Sequence, residues 1–383
     1  MQIGGRWVAV VALLCAGATR GRAQSGAGGM TAALDSTIRE AVRTSGFMGT
    51  VLVADRRQIL YQRQAGLANA AWNIPNAPDT RFRVASVTKQ VTALLIMQYV
   101  QSGRLRLDGT VGDYLPWFTP AAAQQVTLEH LLTHMSGLRD LDDVPGYHAS
   151  DDSTLHTHAD VVRRFLMVAP EWAPGTRFRY NNSDYVILGA ILEAISGTSF
   201  DALLQSRILT PLGMRNTGMV RESAIIPRLA AGYDTDASGS IQQQDEPVER
   251  YLASGALYST AGDLLRFYRA IDTHHLLSAS ATERMFRPNA YGGALGSWQY
   301  DWKAAVDSAR PDHPQSTARV IERQGWIGAY RGLSVMIPAR GLFVIVIANG
   351  GHADLSTLSR GTGIASRIVA AVVAAVAAQP IAP

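Results

Sequence analysis

The stretch VASVTKQVTALLIMQYVQSG, Val84 to Gly103, places a serine and a lysine three residues apart at the head of an apolar segment. The apolar part, Val87 to Val100, is too long for a strand and predicts a buried helix that ends at Gly103. Residues at positions i and i+3 share a helix face, so Lys89 lies within reach of the Ser86 hydroxyl. The free N–H groups and the positive dipole end of a helix N-terminus favour acyl transfer at that serine.

A lysine is unusual here because the chain uses arginine for almost every positive charge, and Lys89 and Lys303 are its only lysines. Arginine remains protonated, whereas a desolvated lysine in a positive field can become a neutral base. A serine hydroxyl needs such a base to act as a nucleophile. The segment therefore predicts a catalytic pair of Ser86 and Lys89. The alternative is a serine that caps an ordinary helix beside a solvated lysine.

The remaining hydrophobic pattern predicts helices and strands near both ends of the chain and a helical middle. The predicted helical segments are Thr31–Thr44, Val87–Val100, Leu128–Thr133, Ala159–Val168, Tyr185–Ile195, Phe200–Arg207, Ala261–Ile271 and Ile364–Ala378. The predicted strands are Phe47–Ala54, Gln58–Leu67, Trp298–Val306, Arg319–Gln324, Tyr330–Pro338 and Leu342–Ala348.

This order predicts an α+β fold in which an antiparallel sheet, built from both chain ends, is flanked by the terminal helices. A helical subdomain is inserted between the two halves of the sheet. We assign about 24–83 and 290–383 to the sheet subdomain and about 84–289 to the helical subdomain. A cleft between the two is the expected position of a site.

Residues 1–23 have the pattern of a secretory signal peptide. Arg6 supplies a basic region, Trp7 to Ala18 is a short apolar run, and Gly21-Arg22-Ala23 provides small residues for cleavage. The run is shorter than the roughly 20 residues that cross a bilayer, which disfavours a membrane anchor. We therefore expect export, with a secreted or periplasmic mature chain of residues 24–383. Cys15, the only cysteine, would be removed with the signal.

The composition is that of a globular protein, with 47% apolar and 17% charged residues. Residues 1–23 carry three arginines and no acidic residue, so the mature chain has 32 basic and 31 acidic residues and a net charge of +1. The sequence contains no basic run, and the apolar run from Ile368 is only 11 residues long. We therefore expect neither a nucleic-acid partner nor a stable membrane span in the mature chain.

Two later segments carry further candidate site residues. In GTRFRYNNSDYVILGAILEAISG, Gly175 to Gly197, Tyr180 and Asn182 lie just before a helix. A tyrosine near cations can act as an acid or a base, and an asparagine offers a donor and an acceptor to an amide-like substrate. The alternative for this pair is a capping turn.

The other segment, RVIERQGWIGAYRGLSVMIP, leads a strand into Arg323-Gln324-Gly325-Trp326. A glycine in a strand allows a substrate backbone to approach closely. The alternative is a bulge or a tight bend.

Together, Ser86-Val87-Thr88-Lys89, Tyr180-Asn181-Asn182 and Arg323-Gln324-Gly325 resemble the three ordered motifs of the serine β-lactamase and penicillin-binding superfamily. The most similar branch contains class C β-lactamases, D-alanyl-D-alanine carboxypeptidases and related esterases. LLTHMSGL (131–138), FRYNNSDYVILG and GALYSTAGDLLRF resemble further segments of that family. The resemblance extends from about Thr31 to the C-terminus.

The resemblance implies that Ser86 is the nucleophile that forms an acyl-enzyme, and that Lys89 takes or relays its proton. Tyr180 would protonate the leaving group and help to activate the deacylating water. Asn182 would hold the substrate amide or order Lys89. The backbone N–H groups of Ser86 and Trp326 would form the oxyanion hole. No metal or other cofactor is implied.

The third motif differs from the Lys-Thr-Gly that is usual in β-lactamases of this type. Arg323 can still bind a substrate carboxylate through two hydrogen bonds, but Gln324 is bulkier than a threonine. The difference favours a peptidase or esterase over an efficient class C-type β-lactamase.

The predicted function is therefore an exported serine hydrolase that acts through an acyl-enzyme on a small-molecule ester, a D-amino-acid peptide of the peptidoglycan type, or a β-lactam. The alternative from another class is a non-catalytic penicillin-sensing or binding protein. A purely binding role would not require Ser86, Lys89 and Tyr180 together, which argues against that alternative.

Histidines and acidic residues give a weaker signal. His130 and His134 have the i, i+4 spacing of a metal-binding pair, but no third ligand is evident in the sequence, so no metal site is expected. The histidines expected on surface loops are His156, His158, His274 and His275. The acidic segment Asp140–Asp152 lacks the spacing of a calcium-binding loop and is expected to border the cleft.

Overall fold

The computed structural model describes residues 28–120, 124–148, 157–236, 240–244, 246–303, 317–355, 358 and 363–377. Several sequence-based expectations concern other residues: the signal peptide 1–23 with Cys15, the end of the acidic segment from 149 onward, His156, and the last three residues of the predicted strand Trp298–Val306. These expectations stay predictions.

The described strands form one large antiparallel sheet and three small sheets. In chain order they are β1 (Gly49–Ala54), β2 (Ile59–Ala65), β3 (Leu67–Asn69), β4 (Ile74–Pro75), β5 (Phe82–Arg83), β6 (Gly218–Met219), β7 (Gly232–Thr235), β8 (Ile241–Gln244), β9 (Leu257–Ser259), β10 (Gly293–Ala294), β11 (Ser297–Lys303), β12 (Thr317–Ile327), β13 (Tyr330–Ile337) and β14 (Leu342–Ala348). The large sheet has the order β10-β11-β12-β13-β14-β1-β2. Strand β1 pairs with β14 along its whole length, so the two ends of the chain meet in one sheet, as predicted.

The helices of the described chain lie between and beside these strands. They are α1 (28–45), α2 (Thr88–Gln101), α3 (Val111–Tyr114), α4 (Leu128–Leu132), α5 (His158–Phe165), α6 (Ser183–Ser196), α7 (Phe200–Leu204), α8 (Thr210–Leu212), α9 (Leu252–Gly255), α10 (Ala261–Asp272), α11 (Ala279–Phe286) and α12 (Gly363–Ala377). Short 3₁₀ turns occur at Ala85–Val87, Leu141–Asp143, Val248–Tyr251 and Pro338–Arg340, and a π-helical segment occurs at Gln205–Leu209.

Both faces of the large sheet are covered. Successive side chains of a strand point to opposite faces. Val51 and Val53 of β1 pack in the core that contains residues of α1 and α12, whereas Leu52 and Ala54 pack in the core that contains α2. All six residues of β1 are buried, as expected for a central strand between two apolar layers. The predicted α+β architecture with flanking terminal helices is therefore confirmed.

Helices α2 and α6 form the centre of the helical part. Most side chains of both helices are buried, including the polar Thr88, Lys89 and Gln90 of α2. Each helix carries candidate site residues at its N-terminal end: Ser86 and Lys89 at the start of α2, and Asn182 at the start of α6. Burial of the two helices therefore fixes the positions of those side chains.

Among the described residues, no single helix has both the length and the apolar composition needed to cross a membrane. The segments Ser183–Ser196 and Phe200–Leu212, bent by 78° from each other, meet those two criteria only when they are taken together.

Two of the differences from the sequence-based predictions concern β12 and His158. Strand β12 continues past Gln324, because its pairing with β13 extends through Gly325 and Trp326. His158 is not on the surface as expected: it is 3% exposed, and its Nδ1 lies 3.1 Å from the Glu193 carboxylate. It begins an amphipathic helix, α5, whose first turn packs against α6, and a histidine with a carboxylate partner can be buried there.

Candidate active site

Ser86 lies in a tight turn between β5 and α2. Ala85, the preceding residue, has a φ of +49°, a left-handed conformation that few non-glycine residues adopt. The Thr88 hydroxyl donates to the Ala85 carbonyl over 2.6 Å and accepts from the Leu257 N–H of β9 over 3.1 Å. Backbone strain of this kind persists only where the surrounding fold over-determines it, as at many active sites.

Two glycines form the surface on which this turn rests. Gly325 in β12 lies directly opposite Gly332 in β13. A Cβ on Gly325 would be 2.4 Å from the Val84 carbonyl oxygen and 2.8 Å from the Ser86 nitrogen, and a Cβ on Gly332 would be 3.2 Å from the Val84 oxygen. Gly325 therefore allows the turn that carries Ser86, the nucleophile turn, to approach the strand closely. The approach of a substrate backbone at this glycine stays a prediction.

The three predicted catalytic side chains form one hydrogen-bonded chain. Lys89 Nζ lies 3.1 Å from Ser86 Oγ, which lies 2.6 Å from Tyr180 Oη. Lys89 is fully buried, and its Nζ also donates to Asn182 Oδ1 over 2.7 Å and to the Ser254 carbonyl over 2.8 Å. Residues separated by more than ninety positions in sequence therefore meet at one hydroxyl.

Two proton arrangements satisfy this chain, and both contain the same number of protons. In one, a neutral Lys89 donates to its two carbonyl partners and accepts from the Ser86 hydroxyl, while Tyr180 donates to the Ser86 oxygen. In the other, a Lys89 ammonium donates to Ser86, and Ser86 donates to a Tyr180 phenolate. A shift of protons along the chain interconverts the two, so Ser86 is bonded to a base in either state.

Both candidate bases have a pKa below the ordinary value. Burial is the main cause of the lowered pKa of Lys89, and the Arg323 charge adds to it, against an opposing effect of Tyr180. For Tyr180, burial by itself would raise the pKa, but the charges of Lys89 and Arg323 and the hydrogen bonds to the phenol outweigh burial and lower it. Lowered values make a neutral amine or a phenolate accessible as the partner of Ser86.

Arg323 lies inside the site and not at its mouth. Its side chain is 2% exposed, Nε donates to the Ser86 carbonyl over 2.7 Å, and Nη2 donates to Tyr180 Oη over 2.8 Å. These two bonds direct the Nε edge of the guanidinium to Ser86 and Tyr180, where its charge can stabilise an anionic Tyr180. The expectation that Arg323 binds a substrate carboxylate stays a prediction.

Asn182 is held by three contacts. Its Oδ1 accepts from Lys89, its Nδ2 donates to Asp142 Oδ2 over 3.0 Å, and its backbone N–H donates to Asp140 Oδ1 over 2.8 Å. Of the two roles left open by the sequence, this geometry fits the ordering of Lys89, because the side-chain amide is bonded within the protein. The acidic segment therefore borders the site through the turn Leu141–Asp143. The sequence did not identify Asp142 as a site residue, because its position depends on that turn.

His134 lies behind Tyr180, with 4.4 Å between the two ring centroids. Its Nδ1 lies 3.4 Å from Asp184 Oδ2. Burial lowers the pKa of His134 well below its ordinary value and raises the pKa of Asp184 well above its own, which favours an uncharged pair. His130 instead caps α4, where its Nδ1 accepts from the Thr127 N–H. No group of three or more possible metal ligands occurs in the part of the chain that the structure describes.

A cavity of about 700 Å³ opens in front of Ser86. The β11–β12 pairing stops where Trp298 lies opposite Glu322, so the next residues of β12 pair only with β13 among the described strands. This free edge borders the cavity. Aromatic side chains dominate its described wall, namely Phe178, Tyr180, Tyr291, Trp298, Tyr300 and Trp326.

Gln324 of the predicted third motif and Trp326, which follows that motif, both lie at this cavity. Gln324 lines it, and its Nε2 donates to the Leu355 carbonyl over 2.6 Å. Trp326 is 66% exposed at the rim, with the Arg331 guanidinium carbon 4.1 Å from the centroid of its ring. The oxyanion role of the Ser86 and Trp326 backbone N–H groups stays a prediction.

The comparison with known proteins identifies the family. A family model described as Beta-lactamase matches residues 34–366, which include every candidate site residue. This chain belongs to the Beta-lactamase family. The match confirms the family that the three motifs predicted.

Two relatives and one solved structure show how far the similarity of this Beta-lactamase family member extends. Esterase EstB from Burkholderia gladioli is 29% identical over 371 aligned residues, which cover 86% of this chain and 93% of the esterase. Penicillin-binding protein 4 from Amycolatopsis lactamdurans is 29% identical over 329 residues, covering 77% of this chain and 78% of the relative. The crystal structure of a penicillin binding protein from Bacillus halodurans aligns with a TM-score of 0.69 at 26% identity, covering 88% of this chain and 98% of that one. The predictions of the fold and of a serine hydrolase are thereby confirmed.

Proposed function

We propose that this serine hydrolase cleaves esters through an acyl-enzyme formed on Ser86. The observation that carries the proposal is the hydrogen-bonded chain from Lys89 through Ser86 to Tyr180 at an aromatic cavity. A serine with a bonded base, a second proton carrier and space for a carbonyl compound has the parts that acyl transfer requires.

In the acylation step, Ser86 Oγ attacks the ester carbonyl and its proton passes to Lys89 or Tyr180. The carbonyl oxygen becomes an oxyanion, and backbone N–H groups at Ser86 and Trp326 are proposed to donate to it. The ester C–O bond then breaks, and the proton is delivered to the departing alkoxide by Tyr180. This step leaves the acyl group on Ser86 and releases an alcohol.

In the deacylation step, a water molecule attacks the acyl-enzyme carbonyl and loses its proton to the same chain. Tyr180 is the proposed acceptor, because its hydroxyl lies 2.6 Å from Ser86 Oγ and Arg323 stabilises the phenolate form. Return of the proton to Ser86 Oγ completes the cycle and releases a carboxylic acid.

The charges around the cavity support an ester over a β-lactam or a D-alanyl-D-alanine peptide. Penicillins and such peptides carry a carboxylate beside the scissile bond, and a buried site needs a cation for it. Among the described residues that line the cavity, Arg323 is the only cation, and its Nε and Nη2 are bonded inside the protein. An ester without a carboxylate does not require that cation.

The test is a comparison of kcat/KM for three substrates on the mature chain. These are p-nitrophenyl butyrate, a diacyl-lysyl-D-alanyl-D-alanine tripeptide, and benzylpenicillin. We expect the ester to be cleaved at least about 100-fold more efficiently than the others, because a missing polar partner is costly in a buried site. Intact-mass spectra should show an acyl adduct that Ser86→Ala lacks. Penicillin turnover equal to ester turnover would instead indicate a β-lactamase.

We also propose that the protein is exported and acts in the periplasm or outside the cell. The basic, apolar and small-residue regions of residues 1–23 support this. The test is cell fractionation with N-terminal sequencing of the mature protein. Uncleaved protein in the cytoplasm would contradict the proposal.

A further inference from the structure

The cavity contains an ionisable group that the proposed acyl transfer does not use, the carboxyl of Glu322. Glu322 directly precedes Arg323 in β12, so the two side chains leave opposite faces of the strand. Both residues nevertheless line the same cavity. The cavity therefore curves around the free edge of β12, with Arg323 and the catalytic chain on one side and Glu322 on the other.

Glu322 has an incomplete set of hydrogen bonds. Its side chain is fully buried, and its Oε2 accepts from the Tyr300 hydroxyl and from the Leu358 N–H, the latter over 3.1 Å. Its Oε1 is buried and has no hydrogen-bond partner among the described residues. A buried carboxylate oxygen without a donor is costly, and a cation in the cavity would relieve that cost.

Aromatic rings surround the same part of the cavity. Trp298 lies opposite Glu322 in the β11–β12 ladder, and Tyr300 bonds to its carboxyl. Trp326 follows four residues later in β12, which places it on the Glu322 face of the strand. The π-faces of tryptophan and tyrosine attract cations, and a neighbouring carboxylate strengthens that attraction.

We propose that Glu322, Trp298, Tyr300 and Trp326 form a subsite for an ammonium group, so that the preferred esters carry an amine on one arm. The identification of the cavity as the substrate cavity rests on the proposed function. The arrangement gives the cavity two electrostatic ends. The developing oxyanion lies beside Arg323 and Lys89, and the substrate cation lies beside Glu322. Burial raises the pKa of Glu322, against the lowering effects of Tyr300, Leu358 and Arg323, and a bound ammonium would favour the ionised form.

The first test measures binding without catalysis. Wild-type protein is titrated with 2-phenylethylammonium and with 2-phenylethanol, which has nearly the same shape and no charge, while tryptophan fluorescence is recorded. We expect the ammonium to bind about tenfold more tightly, as for one charge-assisted contact. Glu322→Gln should bring the ratio of the two dissociation constants close to one. Equal affinities in the wild type, or an unchanged ratio in Glu322→Gln, would overturn the proposal.

Two further variants control for structure and charge. Glu283→Gln makes the same change at an exposed carboxylate of α11 and should keep the wild-type ratio. Glu322→Asp keeps the charge and should give a ratio above that of Glu322→Gln. If Glu322→Gln melts at a lower temperature than the wild type, the comparison of the Asp and Gln variants still tests the charge. Equal ratios in the Asp and Gln variants would show that the charge is not responsible and would overturn the proposal.

The second test measures turnover of paired esters, p-nitrophenyl 4-(aminomethyl)phenylacetate and p-nitrophenyl 4-ethylphenylacetate. We expect wild-type kcat/KM to favour the ammonium ester about tenfold and Glu322→Gln to lose that preference. Ser86-dependent turnover without an ammonium preference would contradict the subsite and leave the proposed function intact. Glu322-dependent binding of the ammonium without turnover of either ester would support the subsite and contradict the proposed function.

Discussion

The catalytic end and the aromatic end of the cavity are organised in opposite ways. At the catalytic end, Lys89, Asn182 and Arg323 are buried, and their polar atoms bond mainly to one another and to Ser86 and Tyr180. At the aromatic end, Trp326 and Tyr291 are 66% and 54% exposed, respectively. The first end is a network in which each group fixes the next, and the second is a surface of separate contacts.

This difference determines how substitutions at the two ends should behave. Preorganised hydrogen bonds act on the transition state, so their loss lowers kcat. Apolar contacts to a substrate arm act on the bound and the transition state alike, so their loss raises KM. Effects at the catalytic end should also be strongly non-additive, because its members act as a unit.

Replacement of the nucleophile should have the largest effect. Ser86→Ala removes the atom that forms the acyl-enzyme, and we expect kcat for p-nitrophenyl butyrate to fall at least about 10⁴-fold. The melting temperature should stay within a few degrees, because the change removes one hydroxyl. Stopped assays with an intact-mass spectrum provide the measurement. Near wild-type turnover by a folded Ser86→Ala protein would refute the mechanism.

Lys89→Arg should be the next most damaging change. Arginine keeps the positive charge but cannot supply a neutral amine, and its fork does not fit the positions of the Ser86, Asn182 and Ser254 acceptors. We expect about a 10³-fold loss in kcat, within the range for a lost general base. Lys303→Arg, the same change at the chain's other lysine, is the matched control. If both variants retain most of their activity, Lys89 is not needed as a base.

Arg323→Gln should lower kcat/KM about 10²-fold at neutral pH and shift the pH profile. The active chain of Lys89 and Tyr180 loses its base when it binds one additional proton at low pH. Arg323 opposes that proton, because its charge lowers the pKa of both Lys89 and Tyr180. Without this charge the additional proton binds at a higher pH, so the acid limb of kcat/KM should move upward. Arg323→Lys should move the acid limb less. Acid limbs that coincide in the wild type and in both Arg323 variants would contradict this role.

The features that could be predicted from the sequence depend on contacts that are local or follow a period. The position of Ser86 one turn before Lys89 follows from helix geometry, and β14 was predicted with its observed bounds, Leu342–Ala348, from its continuous apolar run. The joining of both chain ends in one sheet also followed from the order of the elements. These features depend on side-chain spacing that can be read directly from the chain.

The direction of Arg323 could not be predicted in the same way. Whether that guanidinium faces the solvent or Ser86 depends on how β12 lies against the nucleophile turn, and that depends on two glycines seven residues apart on different strands. The role of Asp142 likewise depends on a turn that brings it to Asn182, forty residues away in sequence. Contacts of this kind are set by tertiary packing and leave no periodic signal.

Gly325→Ala tests the close packing of the nucleophile turn against β12. The added methyl would lie 2.4 Å from a backbone oxygen, so β12 or the turn must move. We expect a loss of about 1–3 kcal/mol in the free energy of unfolding, as for other overpacked sites, and about a tenfold loss of kcat. Gly262→Ala in α10 is the control, because the nearest contact of the added Cβ would be Thr260 Oγ1, 3.9 Å away. Equal melting temperatures for the two variants would show that the close contact at Gly325 is unimportant.

The smallest effect is expected at the aromatic rim. Trp326→Ala removes an exposed ring that Arg331 and the Gly328 carbonyl hold at the edge of the cavity, while the backbone N–H at this position remains. We therefore expect KM for an aromatic ester to rise about threefold to tenfold, with kcat changed less than about twofold. Trp72→Ala, at a tryptophan that is 78% exposed and does not line the cavity, should leave both parameters unchanged. A large fall in kcat for Trp326→Ala would mean that the indole positions the oxyanion donor, and the rim would then belong to the preorganised network.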